Sequence, residues 1–123
     1  MNNTMTMIEN KRIHKRVPIA GSVNLTIHYI EDDVTIEAMV SYVSLTGIGI
    51  YADRQIEDGT EVSLEINFIS SEGLMKNTLM QGHIIYYREI GNLFFTGIEF
   101  TEEINPDEHK EFYNHIQHTL KWY

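Results

Sequence analysis

The sequence predicts a small, mainly β domain, a six-stranded antiparallel β-barrel with one C-terminal α-helix. Three observations predict it. Apolar residues recur at every second position in several separate runs, the period of a half-buried strand. Short turn signals rich in Gly, Asp and Ser divide the runs, with no helical pattern between them. Only beyond residue 105 does the apolar period lengthen to four, as on one face of a helix.

The elements follow in order. Residues 1–10 read as a leader and 11–123 as a single domain. Pro18 biases Val17 toward an extended conformation, so residues 11–16 should lead straight into a strand. Val23, Leu25, Ile27 and Tyr29 alternate with polar residues, and Glu31-Asp32-Asp33 makes the first turn. Val34, Ile36, Ala38, Val40 and Tyr42 form a second run. Gly47 to Tyr51 is a short third strand, Asp58-Gly59 a turn, and Val62, Leu64, Ile66 and Phe68 a fourth run. Ser70 to Gly73 is a loop. The last two runs, about Leu79 to Ile90 and Leu93 to Phe100, flank Gly91-Asn92, a hairpin turn. Six short antiparallel strands make a barrel or a sandwich, and a barrel leaves no open edge. In the tail, Asn105 can cap a helix, Pro106 suits its first position, and Asp107 and Glu108 favour its positive end. Phe112, Ile116 and Leu120 then give one apolar stripe.

A chain of 123 residues with 42% hydrophobic content has the size and core of one ordinary domain. It has no cysteine, which excludes disulfides and thiolate-bound metals. No apolar run approaches the ~20 residues of a membrane helix, and the first ten residues lack the apolar core of a secretion signal. The expectation is a cytoplasmic protein with no direct membrane insertion. The net charge of −9 argues against DNA or RNA as a partner. The charge is unevenly spread: Lys11, Arg12, Lys15 and Arg16 are four of the nine basic residues and fall within six positions. A compact basic hook on an acidic body points to one local anion site.

Two constellations could carry binding chemistry. Arg12 and Arg16 are four apart, and guanidinium forks match phosphate oxygens two at a time, or the O6/N7 edge of guanine. Alone, such a hook reads sooner as a solvated basic arm. The second is Tyr42-Val43-Ser44-Leu45-Thr46-Gly47-Ile48-Gly49-Ile50, where a hydroxyl and glycines at a strand–turn–strand junction can present backbone N–H groups and admit a ligand closely. Alone, it is an ordinary turn with glycine at positive φ.

In this order the two constellations resemble the PilZ domain family, bacterial receptors for cyclic di-GMP built on a split barrel. The family's Arg-x-x-x-Arg before the first strand, followed by Val-Pro, matches Arg12 to Arg16 and Val17-Pro18. Its Asp/Asn-x-Ser-x-x-Gly motif matches at Ser44 and Gly47, and Gly97-Ile98-Glu99-Phe100 resembles a late family strand. The resemblance spans about residues 11–120. It implies that Arg12 and Arg16 hold phosphate and guanine, that Ser44 and Gly47 shape the base pocket, and that Lys11, Lys15 and Tyr42 make secondary contacts. It implies a hook that folds over the nucleotide and so alters the surface shown to a partner protein in motility, attachment or exopolysaccharide pathways. Tyr42 departs from the family's Asp or Asn. A phenol offers one oxygen where a carboxylate accepts two hydrogen bonds, and its ring can stack on a base. The alternative is a PilZ-like module that has lost the nucleotide and works through protein contacts alone.

Other candidates are weaker. His109, His115 and His118 fall on the tail helix, and His115 and His118 are spaced to share a face. They read as surface histidines, not metal ligands. His28 and His83 read as isolated, half-buried strand residues. No nucleophile–base pair or phosphate-loop motif is legible, so the expectation is no enzyme and no cofactor. Trp122 and Tyr123 read as a cover for the barrel end beside Leu120.

Overall fold

A computed structural model describes residues 16–121. The leader, Lys11, Arg12, Lys15, Trp122 and Tyr123 lie outside the described residues. The strands are β1 (Gly21–His28), β2 (Asp33–Val43), β3 (Gly47–Ala52), β4 (Glu61–Ile69), β5 (Met75–Ile90) and β6 (Leu93–Phe100), followed by helix α1 (Lys110–Leu120). Neighbours run in the order β1-β2-β3-β6-β5-β4, and β4 pairs back on β1, so the sheet closes into the expected six-stranded barrel. Every pairing is antiparallel.

Alternation builds the interior. Val23, Leu25 and Ile27 of β1 face Val62, Leu64 and Ile66 of β4, and all six are buried. Ile48, Ile50, Ile84 and Ile98 close the other side. Each such side chain removed from water contributes ~1.5–3 kcal/mol. The β5–β6 hairpin closes at the Ile90–Leu93 pair with Gly91-Asn92 between. Gly91 has φ +59°, as a two-residue turn with glycine first requires. Two boundaries differ from the sequence pattern. β1 stops at His28 and leaves Tyr29 42% exposed, and β5 begins at Met75, before the run that announced it.

Two bulges overturn the alternation where it matters. Strict period two puts Tyr42 on the same face as Ala38 and Val40, and Tyr86 with Ile84. In the barrel, register shifts lie between Val40 and Tyr42 and between Ile84 and Tyr86. One extra residue flips every side chain beyond it. Val43 therefore turns inward and is fully buried, and Tyr42 turns outward opposite Gly49. Tyr86 likewise lies opposite Gly97 on the outer face.

The helix begins later than expected. Asn105 does cap, because its side-chain oxygen accepts from the N–H groups of Asp107 (2.7 Å) and Glu108 (3.1 Å). What it caps is a turn over residues 106–109. His109, with φ −118° and ψ 42°, interrupts the helical run, so α1 starts at Lys110. Phe112 and Ile116 are buried as the stripe requires, and the Phe112 ring meets Phe68 of β4 at 5.0 Å. His115 does not face solvent as a surface histidine: its ring stacks on Phe68 at 5.1 Å and its Nδ1 is buried. Burial, then the neighbouring His118, holds its pKa below the ordinary 6.5. The folded chain thus favours neutral His115 while the unfolded chain takes a proton more readily. This contribution to stability is complete above pH 6.5 and is lost as pH falls through the lowered folded pKa. Thermal denaturation between pH 7.5 and 5 is expected to show a falling Tm, and His115→Phe is expected to flatten that slope.

Candidate functional site

The two sequence constellations meet at one end of β2. Val17 and Val43 exchange backbone hydrogen bonds of 2.8 and 2.9 Å, which pin the segment following the basic hook against the strand carrying Tyr42. Pro18 follows directly, so the chain enters this bridge already extended. Arg16 is thereby delivered to the outer face. Its Cζ stands 4.5 Å from the centroid of the Tyr42 ring. A guanidinium over a phenol at an exposed site contributes about 0.5–1 kcal/mol. Among the described residues no carboxylate pairs with Arg16, and it remains exposed.

Tyr42 is held on its other side by absence of a side chain. A Cβ on Gly49 would fall within the Tyr42 ring, so the ring lies directly on the strand backbone. Its hydroxyl is 3.4 Å from that of Tyr86, and its ring sits 5.9 Å from Phe95. Burial above all, then the Tyr86 hydroxyl, pushes the Tyr42 pKa up to about 12, against a lowering by Arg16. The phenol therefore stays neutral and acts as a ring surface and a hydroxyl, not as an anion.

Ser44 and Gly47 are brought beside this stack. Ser44 is buried. Its N–H donates to the Gly47 carbonyl (2.9 Å) and its Oγ accepts from the Thr46 N–H (3.3 Å), so the hydroxyl closes its own turn. Gly47 does not have positive φ, contrary to the turn reading. It is glycine because a Cβ there would stand 2.5 Å from the Ile98 carbonyl oxygen of β6. The turn is further tied down by Thr46 O, which accepts from Phe100 N–H (2.9 Å), and Leu45 O, which accepts from Ile104 N–H (2.8 Å).

Elsewhere the barrel gathers a set that spacing did not reveal. His28 is neither isolated nor half-buried. Its Nδ1 is 3.0 Å from Asp33 and its Nε2 is 2.6 Å from the Ser63 hydroxyl, which donates to Gln81 (2.8 Å). The order Asp–His–Ser is that of a nucleophile triad, but the protons run the wrong way. With the Ser63 proton directed to Gln81, none lies between Ser63 and His28 for the ring to abstract. Ser63 also sits in a strand paired on both sides, so its own N–H belongs to the ladder and not to an oxyanion. His83, likewise not isolated, meets Glu99 at 3.4 Å. Among the described residues no group of three His, Asp or Glu could hold a metal, and no helix is long and apolar enough to cross a membrane.

Comparison with known proteins gives the family and the fold. The PilZ domain family model matches residues 10–118. The chain belongs to the PilZ domain family. Its fold is similar to that of the Bacillus subtilis inhibitor of motility, MotI/DgrA, at TM-score 0.62 and 16% identity, over 87% of this chain and 51% of that one. The chain thus spans about half the length of that protein. It is also similar to the PilZ domain of YcgR from Escherichia coli, a structure with c-di-GMP, at TM-score 0.60 and 13% identity, over 88% and 90% of the two chains. No curated protein sequence matches the chain.

Two outcomes follow from the packing. In a spectrophotometric titration one tyrosine should ionise near pH 12, and Tyr86→Phe should lower that value by removing its hydroxyl partner. Because the folded pKa exceeds the ordinary 10.0, the associated stability is present below pH 10 and is lost as pH rises toward 12. Gly47→Ala should cost ~1–3 kcal/mol in urea denaturation, since its Cβ meets backbone that cannot swing aside.

Proposed function

We propose that this protein is a non-enzymatic receptor for cyclic di-GMP that signals to a partner protein. The observation that carries the reading is the placement of Arg16 on the half-buried ring of Tyr42, beside the Ser44–Gly47 turn. A guanidinium held by a ring keeps its donors directed to solvent, where phosphate oxygens or a guanine edge can meet them. Family membership supports the ligand, as does the c-di-GMP in the YcgR domain structure. Arg12, four residues upstream, supplies the second fork, and Lys11 and Lys15 add charge. Gly47 lets the turn approach β6, and Ser44 shapes the pocket by fixing that turn. Tyr42 takes the place of the family carboxylate or amide as the ring on which Arg16 rests. Ligand that draws on Arg16 also bears on the turn bonded to Phe100 and Ile104, just ahead of α1, and so on the surface a partner meets. A partner in motility accords with the inhibitor of motility among the similar folds; attachment and exopolysaccharide output are the other candidate pathways.

The second reading, a protein-contact module without nucleotide, is favoured by one observation, the Ser44 hydroxyl spent on its own turn. Isothermal titration with cyclic di-GMP separates the two. Wild type should bind, and Arg12→Ala and Arg16→Ala should each weaken binding at least about tenfold, one lost charged hydrogen-bond set being worth ~1.5–3 kcal/mol. Mutants that bind as wild type does would refute the site. A gain of affinity in Tyr42→Asp would place the loss at that side chain alone, and no binding in any form would leave the protein-contact module.

A further inference from the structure

On the outer face the packing of Tyr42 on Gly49 has a counterpart in Tyr86 on Gly97. Residues Tyr42, Gly49, Gly97 and Tyr86 form one continuous row across β2, β3, β6 and β5, each paired in register with the next. The row reads the same from either end, a tyrosine and then a glycine. Each tyrosine follows a one-residue bulge, and each ring occupies the space of the missing Cβ on the glycine opposite. The two hydroxyls are 3.4 Å apart, and Phe95 sits almost equally far from both rings, at 5.9 and 6.0 Å. The outward faces differ: Arg16 covers Tyr42, while among the described residues no cation stands over Tyr86. Arg88, exposed and two residues further along β5, projects from the same face beside it.

From this arrangement we infer that Tyr86 is the stacking platform for the second purine of a cyclic dinucleotide, with Arg88 positioned to meet the phosphate of that half. The inference rests on the receptor reading above. A ring laid flat on the backbone offers one large apolar face, held without further loss of side-chain freedom, and base–aromatic stacking needs little more. A two-ring platform with one arginine at each end also matches a ligand made of two like halves. The guanidinium stands 4.5 Å over the Tyr42 ring, and a base on Tyr86 would lie next to it. Arg16 would then address the edge of that base rather than its face, the approach by which its fork reads the O6/N7 side of guanine.

Titration calorimetry with cyclic di-GMP on wild type, Tyr86→Leu and Tyr86→Phe tests it. Leucine covers Gly97 but cannot stack, so affinity should fall about 5- to 150-fold. Phenylalanine keeps the ring and loses only the bond to Tyr42, so affinity should stay within about twofold of wild type. Wild-type binding with Tyr86→Leu unchanged overturns the inference and spares the receptor reading. Equal losses in both variants overturn it in favour of a hydroxyl that merely positions Tyr42. A wild type that binds no dinucleotide overturns both. Should Tyr86→Leu fail to fold by circular dichroism, the ring proton resonances of Tyr86 in the wild type decide. An upfield shift on adding ligand supports the stack, and unmoved resonances overturn it.

Discussion

The position of the Tyr42 ring depends on one extra residue in β2. Without the bulge after Val40, Tyr42 would point into the barrel and Val43 out of it. The barrel would gain a phenol to satisfy and lose a fully buried valine. With the bulge, the ring leaves the core and lands where Gly49 has no side chain. Arg16 then has a surface to rest on. The bridge from Val17 to Val43 brings the basic segment to the same place, because Val43 is the residue that turned inward. Bulge, glycine, bridge and arginine are thus consequences of a single local change of register.

The closed barrel divides its surface into two chemically distinct faces. Over β2, β3, β6 and the end of β5, rings lie flat on glycine backbone and arginines stand at the ends of the row. Over β1, β4 and the start of β5, short polar residues knit across strands. Asn24 donates to Glu65 and Thr26 meets Thr35, while the His28–Ser63–Gln81 chain spans three strands. This second face is a self-satisfied hydrogen-bond network. The first is built from aromatic rings packed on glycine backbone, with Arg16 over one of them.

The turn from Ser44 to Gly47 joins the aromatic face to the C-terminal segment. It is fixed from inside by its own serine and from outside by β6 and the strand exit, where its carbonyls accept from Phe100 and Ile104. Ile104 is buried and leads into the Asn105 turn and then α1, which seals the barrel end against Phe68. Few side chains separate the ring under Arg16 from the start of that helix. The contacts between them are backbone hydrogen bonds.

The sequence by itself determined the number of strands, most of their inward residues, the hairpin at Gly91-Asn92 and the helical stripe of Phe112 and Ile116. All of these depend on near neighbours along the chain. Periodicity records burial, a turn needs its own glycine, and a helix face repeats within a few residues. It also presented the arginines, Ser44 and Gly47 as a spaced pair of motifs. What only the tertiary structure decided was which way Tyr42 and Tyr86 face, why Gly47 and Gly97 must be glycine, and that His28 meets Ser63. A bulge carries no local signature in the alternation it breaks. The two tyrosines read as ordinary members of their runs until a partner strand in register supplied the glycine beneath each ring. Close approach of backbone to backbone, and of residues 35 positions apart, exists only once the barrel has closed.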